Sequence, residues 1–222
     1  MQRLSTFFLL FSLLLFAASC SQAPEGEQVE ASEAQQNEQQ DSPAENSAKL
    51  TVDADNARIF WEGTKPGGGH TGIIKLQKGH LQMANGKISG GEFIIDMNSI
   101  ENTDQEGQDK EDLQNHLRSS DFFDAGQFPT ATFVITDAKP LAGREDANYL
   151  ITGNLTIKGI TKSISIPAKV QVAETYVEVE TPKFTIDRTQ WGITYKSGII
   201  GTAKDRLIND QIGLQIKLQA SL

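Results

Sequence analysis

The chain has 222 residues, with 20 Lys and Arg against 29 Asp and Glu, which gives a formal net charge of -9. This acidic balance argues against nucleic acid as a partner, because phosphate binding requires a basic surface. The single cysteine excludes an intramolecular disulfide and a cysteine-rich metal site. The length and the apolar content of 38% fit one folded core.

Residues 1–19 are predicted to be a signal peptide. Arg3 gives a positive start, and the apolar run at residues 7–16 is too short to span a bilayer. Small residues at 17–19 stand directly before Cys20, an arrangement that resembles a bacterial lipobox. The resemblance implies cleavage before Cys20 and acyl chains that anchor the protein to a membrane. The alternative is an ordinary secretory signal in which Cys20 has no role.

Residues 20–48 are predicted to be an acylated Cys20 followed by a disordered acidic linker. Residues 21–48 carry 7 acidic side chains, no Lys or Arg, and no aromatic residue. Such a segment buries too little apolar surface to offset the conformational entropy of ordering it. A flexible chain of this length has a root-mean-square reach of about 30 Å. We therefore expect the folded domain to stand off from the membrane.

Residues 49–222 are predicted to form one all-β domain. Apolar and polar residues alternate, as in strands with one buried face, in segments 93–97, 131–135, 149–157, 164–172 and 212–220. Turn signals separate the strands at Asn85-Gly86, Gly90-Gly91, Lys158-Gly159 and Pro182. About seven to nine strands joined by short turns predict antiparallel pairing.

One segment of the domain has the pattern of a helix. Residues 109–120 contain acidic side chains in the first turn, Leu113 and Leu117 one turn apart, and Arg118 near the end, where the helix dipole favours a positive charge. A single helix in a long antiparallel chain predicts a barrel with a helix closing or flanking one end.

No motif predicts a metal, a cofactor or a catalytic group. His70, His80 and His116 lack the spacing of a zinc site, and no G-x-S-x-G sequence is present. The glycines of residues 67–72 match G-x-G-x-x-G, but a strand-like segment follows where a dinucleotide site needs a helix. We therefore predict a protein that is not an enzyme and needs no cofactor.

Several segments resemble the YceI-like family of bacterial exported proteins. They are Ile59-Phe60-Trp61-Glu62-Gly63, His70-Thr71-Gly72, Met97-Asn98-Ser99-Ile100, Ser120-Asp121-Phe122-Phe123-Asp124, Phe128-Pro129-Thr130-Ala131-Thr132-Phe133, the run from Gly153 to Lys162, and Ile186-Asp187-Arg188 with Trp191-Gly192. The resemblance covers residues 49–222, and Trp191 replaces the Phe that is usual in the family. It implies a lipocalin-like, eight-stranded antiparallel β-barrel that encloses an isoprenoid-tailed lipid.

The candidate ligand-binding residues are apolar side chains on inward faces and two residues near the barrel end. They are Phe93, Ile95, Met97, Phe133, Ile164, Ile166, Arg188 and Trp191. The apolar ones fit a cavity wall or a plain core equally well by alternation alone. Arg188 could pair with a phosphate or quinone head group, or form a salt bridge to a carboxylate such as Asp187 or Asp121.

These observations predict a lipoprotein of the bacterial envelope, on the periplasmic face of the outer membrane or on the cell surface. Its barrel is expected to bind a polyprenyl phosphate or a quinone-like lipid. One alternative is a solid barrel that acts as a stress or scaffold protein without a ligand. Another is a hydrolase or isomerase that uses His70 or His116.

Overall fold

The computed structural model describes residues 23–36, 47–203 and 206–222. The signal peptide and Cys20 lie outside these ranges. The strands are β1 (Glu27–Gln28), β2 (Ser32–Glu33), β3 (Ser47–Val52), β4 (Arg58–Lys65), β5 (Gly68–Ala84), β6 (Lys87–Asn102), β7 (Thr130–Pro140), β8 (Tyr149–Ile157), β9 (Ile160–Val172), β10 (Tyr176–Glu180), β11 (Phe184–Asp187) and β12 (Gln211–Ser221). Helix α1 (Gly107–Arg118) lies between β6 and β7, and 3-10 helices at Arg188–Trp191 and Gly198–Ile200 precede β12. Among the described residues, no helix has the length and hydropathy that a membrane crossing requires.

Antiparallel pairing closes these strands into a barrel with eight positions. The ring runs through β12, β10, β9, β8, β7, β6 and β5, and returns through β4, which pairs with both β5 and β12. β3 and β4 share one place in the ring, because both pair with β5 and β12. β10 and β11 likewise share one place, because they pair with successive parts of β12. The expected all-β, lipocalin-like barrel is thus confirmed.

The five alternating segments all lie in strands, and most of the turn signals mark turns. Asn85 and Lys158 have φ of 51° and 49°, the left-handed conformation that tight hairpins require. The turn expected at Gly90-Gly91 is wrong, because both glycines lie inside β6. A Cβ on Gly91 would stand 2.7 Å from the His80 carbonyl oxygen, so the glycine serves a close strand contact.

The connections divide between the two ends of the barrel. The β4–β5 and β8–β9 hairpins, helix α1 and both 3-10 helices lie at one end, which we call the helical end. The β5–β6, β7–β8 and β9–β10 turns lie at the other. Leu113 and Leu117 of α1 pack against the core, and Phe122, just after the helix, is buried. The helix therefore flanks the barrel at this end, which is one of the two placements that the sequence predicted.

Residues 23–36 form an ordered strap on the barrel wall, which differs from the disordered linker expected at residues 20–48. β1 pairs in parallel with β11, and β2 pairs antiparallel with β9. β9 pairs with β10 only at residues 169–172, which leaves the rest of the β9 edge without a partner in the ring. We call this gap the seam, and the strap lies along it. Residues 37–46 of the expected linker lie outside the described ranges.

The strap is held by backbone pairing and by two buried residues, Pro24 and Val29. Val29 is buried, and its N–H donates to the Thr185 carbonyl at 2.8 Å. Lys162 Nζ lies 2.8 Å from Glu33 Oε1. The composition of residues 23–36 could not predict that they are ordered. The unpaired edges of β9 and β11 provide backbone partners that even a polar segment can use.

Candidate ligand-binding cavity

The inward faces of the barrel strands enclose one elongated apolar cavity of about 640 Å³. This volume falls within the range of small-ligand sites, which is about 300–1,000 Å³. All eight residues predicted from the sequence line it: Phe93, Ile95, Met97, Phe133, Ile164, Ile166, Arg188 and Trp191. The structure therefore brings together every candidate, although these residues come from β6, β7, β9 and the first 3-10 helix.

The apolar candidates differ in how much of their surface is covered. Phe93, Met97 and Ile164 are buried by neighbouring side chains. Ile95 and Phe133 line the cavity but are only half-buried, so part of each side chain borders open space. The Phe93 and Phe133 rings lie 6.3 Å apart on adjacent strands. The wall is thus both core and cavity surface, and the centre of the barrel is not filled by side chains.

The cavity opens at the helical end. Its exposed lining residues are Lys65 and Pro66 at the end of β4, and Arg206 ahead of β12. Tyr195 and Lys196, between the two 3-10 helices, line the same region. A long apolar ligand could therefore enter here and keep its polar end near water.

The charges on the cavity wall have one sign. Lys65, Arg188, Lys196 and Arg206 line the cavity, and the wall includes no Asp or Glu from the described ranges. This contrasts with the acidic chain as a whole. Three of these cations lie around the opening, while Arg188 is buried. The charged side chains that line the opening therefore favour an anionic group.

An aromatic cluster stands beside the opening and was not predicted from the sequence as a unit. The His116 ring meets the rings of Phe122 and Tyr195 edge-on, with centroids 5.0 and 4.8 Å away. His116 Nε2 also lies 3.0 Å from Asp121 Oδ2. His116 and Tyr195 come from α1 and from the loop before β12, so no local spacing in the sequence relates them.

Arg188 fixes the loop between the 3-10 helices and β12. Its guanidinium donates to the carbonyl oxygens of Ile193, Ile208 and Asn209 at 2.7, 3.0 and 3.0 Å, in a side chain that is 1% exposed. A further donation goes to Asp210 Oδ1 at 3.0 Å. The alternative of a structural salt bridge agrees with this geometry, with Asp210 as the partner in place of Asp187 or Asp121. Burial lowers the pKa of Arg188, while the neighbouring carboxylate of Asp210 opposes this shift.

Trp191 follows Arg188 in the same 3-10 helix and is also fully buried. Its indole Nε1–H donates to the Leu155 carbonyl oxygen at 3.0 Å. The ring therefore packs against β8 and contributes to the cavity wall from a fixed position.

His70 lies at the opening and is paired with Asp104, with 3.0 Å between Nδ1 and Oδ2. Burial tends to raise the pKa of Asp104, but hydrogen bonds from the Thr71 N–H, His70 and Asn102 outweigh it and the pKa is lowered. Within the ranges that the structure covers, the imidazole rings of His70 and His116 are hydrogen-bonded to carboxylates and to no serine hydroxyl, and no group of three or more His, Cys, Asp or Glu could hold a metal.

A model of the YceI-like domain matches residues 50–220. The chain belongs to the YceI-like family. Curated relatives include a UPF0312 protein of Yersinia enterocolitica, 38% identical over 77 residues, or 35% of each chain. Another, from Shewanella denitrificans, is 33% identical over 120 residues, or 53% of this chain and 51% of the relative. The chain thus spans between about a third and about a half of these relatives.

Two solved structures share this YceI-like fold. Burkholderia cenocepacia BcnA is similar with a TM-score of 0.62 at 20% identity, over 77% of this chain and 99% of BcnA. A polyisoprenoid binding domain from Saccharophagus degradans, implicated in plant cell wall breakdown, has a TM-score of 0.56 at 14% identity, over 78% of this chain and 97% of that domain. At these identities the similarity shows the fold.

Proposed function

We propose that this protein is an envelope lipoprotein whose barrel binds an isoprenoid-tailed lipid with an anionic head group, such as a polyprenyl phosphate. The observation that carries the proposal is an apolar cavity of about 640 Å³ whose opening is surrounded by cations. The interior of an eight-stranded barrel is wide enough to hold one slender ligand, such as a branched hydrocarbon chain that water would otherwise exclude. The name of the Saccharophagus degradans domain supports the same class of ligand.

The charge of the wall favours a phosphate over a neutral quinone. Lys65, Lys196 and Arg206 lie where the polar end of the lipid would emerge, and no carboxylate of the described wall offsets them. Lys and Arg form strong, charge-assisted hydrogen bonds with phosphate oxygens. Arg188 is less suited to the head group, because the carbonyl groups and Asp210 already occupy most of its donors.

The alternatives receive less support from the geometry. A solid barrel does not agree with half-buried Ile95 and Phe133 around open space. A hydrolase that uses His70 or His116 would need a nucleophile beside the imidazole. In the described part of the chain, each histidine contacts a carboxylate instead.

Native mass spectrometry of the protein purified from its own envelope tests the proposal. We expect a bound lipid with the mass of a polyprenyl phosphate. Ile95→Trp should lower the bound fraction by filling the cavity, whereas Ile94→Trp is a matched control, because Ile94 is the next residue of β6 and does not line the cavity. Absence of lipid from the parent protein would refute the carrier function.

The head group is tested with a lipid pair of equal tail length. Lys196→Gln/Arg206→Gln should weaken binding of the polyprenyl phosphate about tenfold and leave binding of the neutral polyprenol unchanged. Lys87→Gln/Lys139→Gln, at the opposite end of the barrel, is the control for a change in net charge. Equal losses for phosphate and alcohol, or a co-purified quinone, would refute the anionic head group.

A further inference from the structure

Two adjacent isoleucines are exposed at the helical end. Ile199 is 66% exposed and Ile200 is 59% exposed, in the short 3-10 helix that precedes β12. Single exposed apolar residues are ordinary on protein surfaces, but an adjacent pair on one turn is a feature of interaction sites. We call residues 196–201 the isoleucine turn.

The protein holds the isoleucine turn in a defined conformation. Ser197 is fully buried, and its hydroxyl donates to Asp210 Oδ2 at 2.8 Å and accepts from the Ile199 N–H at 3.2 Å. Asp210 is in turn bonded to Arg188. Gly201 ends the turn with a φ of 75°. The two apolar side chains are therefore presented by a network of buried polar groups, and their exposure is a property of the folded turn.

Cations stand on both sides of the exposed pair. Lys196 precedes it, Arg206 follows it, and both line the opening of the cavity. An apolar tip flanked by Lys and Arg is the combination that binds the surface of an anionic bilayer: the apolar groups enter the interface and the cations approach the phosphates.

The start of the strap lies near the same end. Pro24 packs on the outer face of β12, where a Cβ on Gly213, the third residue of that strand, would lie 2.9 Å from the Pro24 Cβ. Cys20 precedes Pro24 by four residues in the sequence, and four residues span at most about 14 Å. An acyl chain on Cys20, as proposed above, would therefore hold the helical end toward the membrane.

We propose that the isoleucine turn docks the cavity opening onto an anionic lipid bilayer, so that the lipid moves between membrane and barrel without crossing water. The transfer of lipid between bilayer and barrel rests on the proposed lipid-binding function. The contact itself is a separate property, because Ile199 and Ile200 do not line the cavity.

The test uses the mature chain from Ser21, exported without an acyl group, which contains every residue that the structure describes. Vesicles of phosphatidylglycerol and of phosphatidylcholine are the probes. We expect binding to the anionic vesicles, and about tenfold weaker binding after Ile199→Ser/Ile200→Ser. Val172→Ser is the matched control, since Val172 is 55% exposed at the opposite end.

Tryptophan fluorescence locates the contact. The native tryptophans Trp61 and Trp191 are 9% and 0% exposed and line the cavity, so the emission of the parent protein with and without vesicles is the baseline to be subtracted. Ile199→Trp should shift its emission to the blue when anionic vesicles are added, and Val172→Trp should not. Equal vesicle binding by parent and Ile199→Ser/Ile200→Ser, or an Ile199→Trp emission that does not respond, would refute the docking surface.

Two further measurements separate this inference from the proposed function. Bound lipid per folded protein should be the same in the parent and in Ile199→Ser/Ile200→Ser, while uptake from vesicles should be slower in the variant. Vesicle binding by a protein that takes up no lipid would support docking and refute the carrier. A parent dimer that Ile199→Ser converts to a monomer would show that a second copy of the chain covers the turn, and would refute docking to the membrane.

Discussion

Replacement of Arg188 by methionine tests whether this residue is a structural clamp or a ligand for the lipid head group. Methionine keeps an unbranched chain of similar length but removes every donor. Three carbonyl oxygens lose a hydrogen bond, and Asp210 loses its cationic partner. The isoleucine turn depends on the same network through Ser197.

The magnitude follows from the burial of the pair. Removing one member of a buried ion pair costs about 3–5 kcal/mol. Asp210 is 27% exposed and keeps the Ser197 hydroxyl, so the lower value of about 3 kcal/mol applies. In a folded unit of this size, each kcal/mol lowers the Tm by about 2–4 °C, which gives a loss of about 6–12 °C.

Thermal and urea unfolding of lipid-free protein measure this loss. Arg188→Met/Asp210→Leu should recover part of it, because the carboxylate is then no longer unpaired. Arg144→Met is the matched control: Arg144 pairs with exposed Asp146 and Glu27 on the surface, and the change should lower the Tm by less than Arg188→Met does. If Arg188→Met unfolded at the parental temperature but lost its lipid, the clamp would be refuted and Arg188 would be a head-group ligand.

Three other predictions concern the strap, a carboxylate and the anchor. Val29→Asp should destabilise the protein by about 2–4 kcal/mol, because it buries a charge at the seam. The same change should make residues 23–36 cleavable in limited proteolysis. Equal protection in the parent and the variant would contradict the ordered strap. The pKa of Asp104 is lowered from 3.8, so its contribution to stability is complete above that pH and is lost as the pH falls through the lower folded value. The difference in unfolding free energy between the parent and Asp104→Asn should therefore be smaller at pH 3 than at pH 6 in urea titrations. The same difference at both pH values would be evidence against a lowered pKa of Asp104. Cys20→Ser should abolish fatty-acid labelling and release the protein from the membrane, and continued labelling would rule out the lipoprotein.

The strands and their inward faces could be predicted from the sequence because alternation is a local property. Phe93, Ile95 and Met97 stand two residues apart in β6, so a strand places them on one face whatever its neighbours are. The resemblance to the YceI-like family added the expectation of an eight-stranded barrel. All of the predicted wall residues accordingly line one cavity.

The opening of the cavity could not be predicted in the same way. His116 and Tyr195 are separated by all five strands from β7 to β11, and they meet only because their connections lie at one end of the barrel. Lys196 and Arg206 were likewise not singled out, because an isolated cation in a loop has no distinctive pattern. Arg188 was recognised as a candidate, but its partner Asp210 lies across the loop and was not.

The strap shows a limit of reasoning from composition. Residues 23–36 are polar and acidic, and they cannot form a core by themselves. They are ordered because the seam between β9 and β11 leaves backbone groups to be paired. The entropy of ordering the segment is thus offset by strands that lie more than a hundred residues away in the chain.

The sequence alone determined the class of fold, the inward faces of the strands and the presence of one helix, since each depends on residue spacing within a segment. The tertiary structure decided that the barrel encloses a cavity, that cations line its opening and that the buried Arg188 donates to the loop before β12. Alternation specifies which side chains point inward, but the distance across the barrel depends on the number and stagger of all its strands. Whether inward side chains meet or leave a cavity is therefore a property of the closed ring.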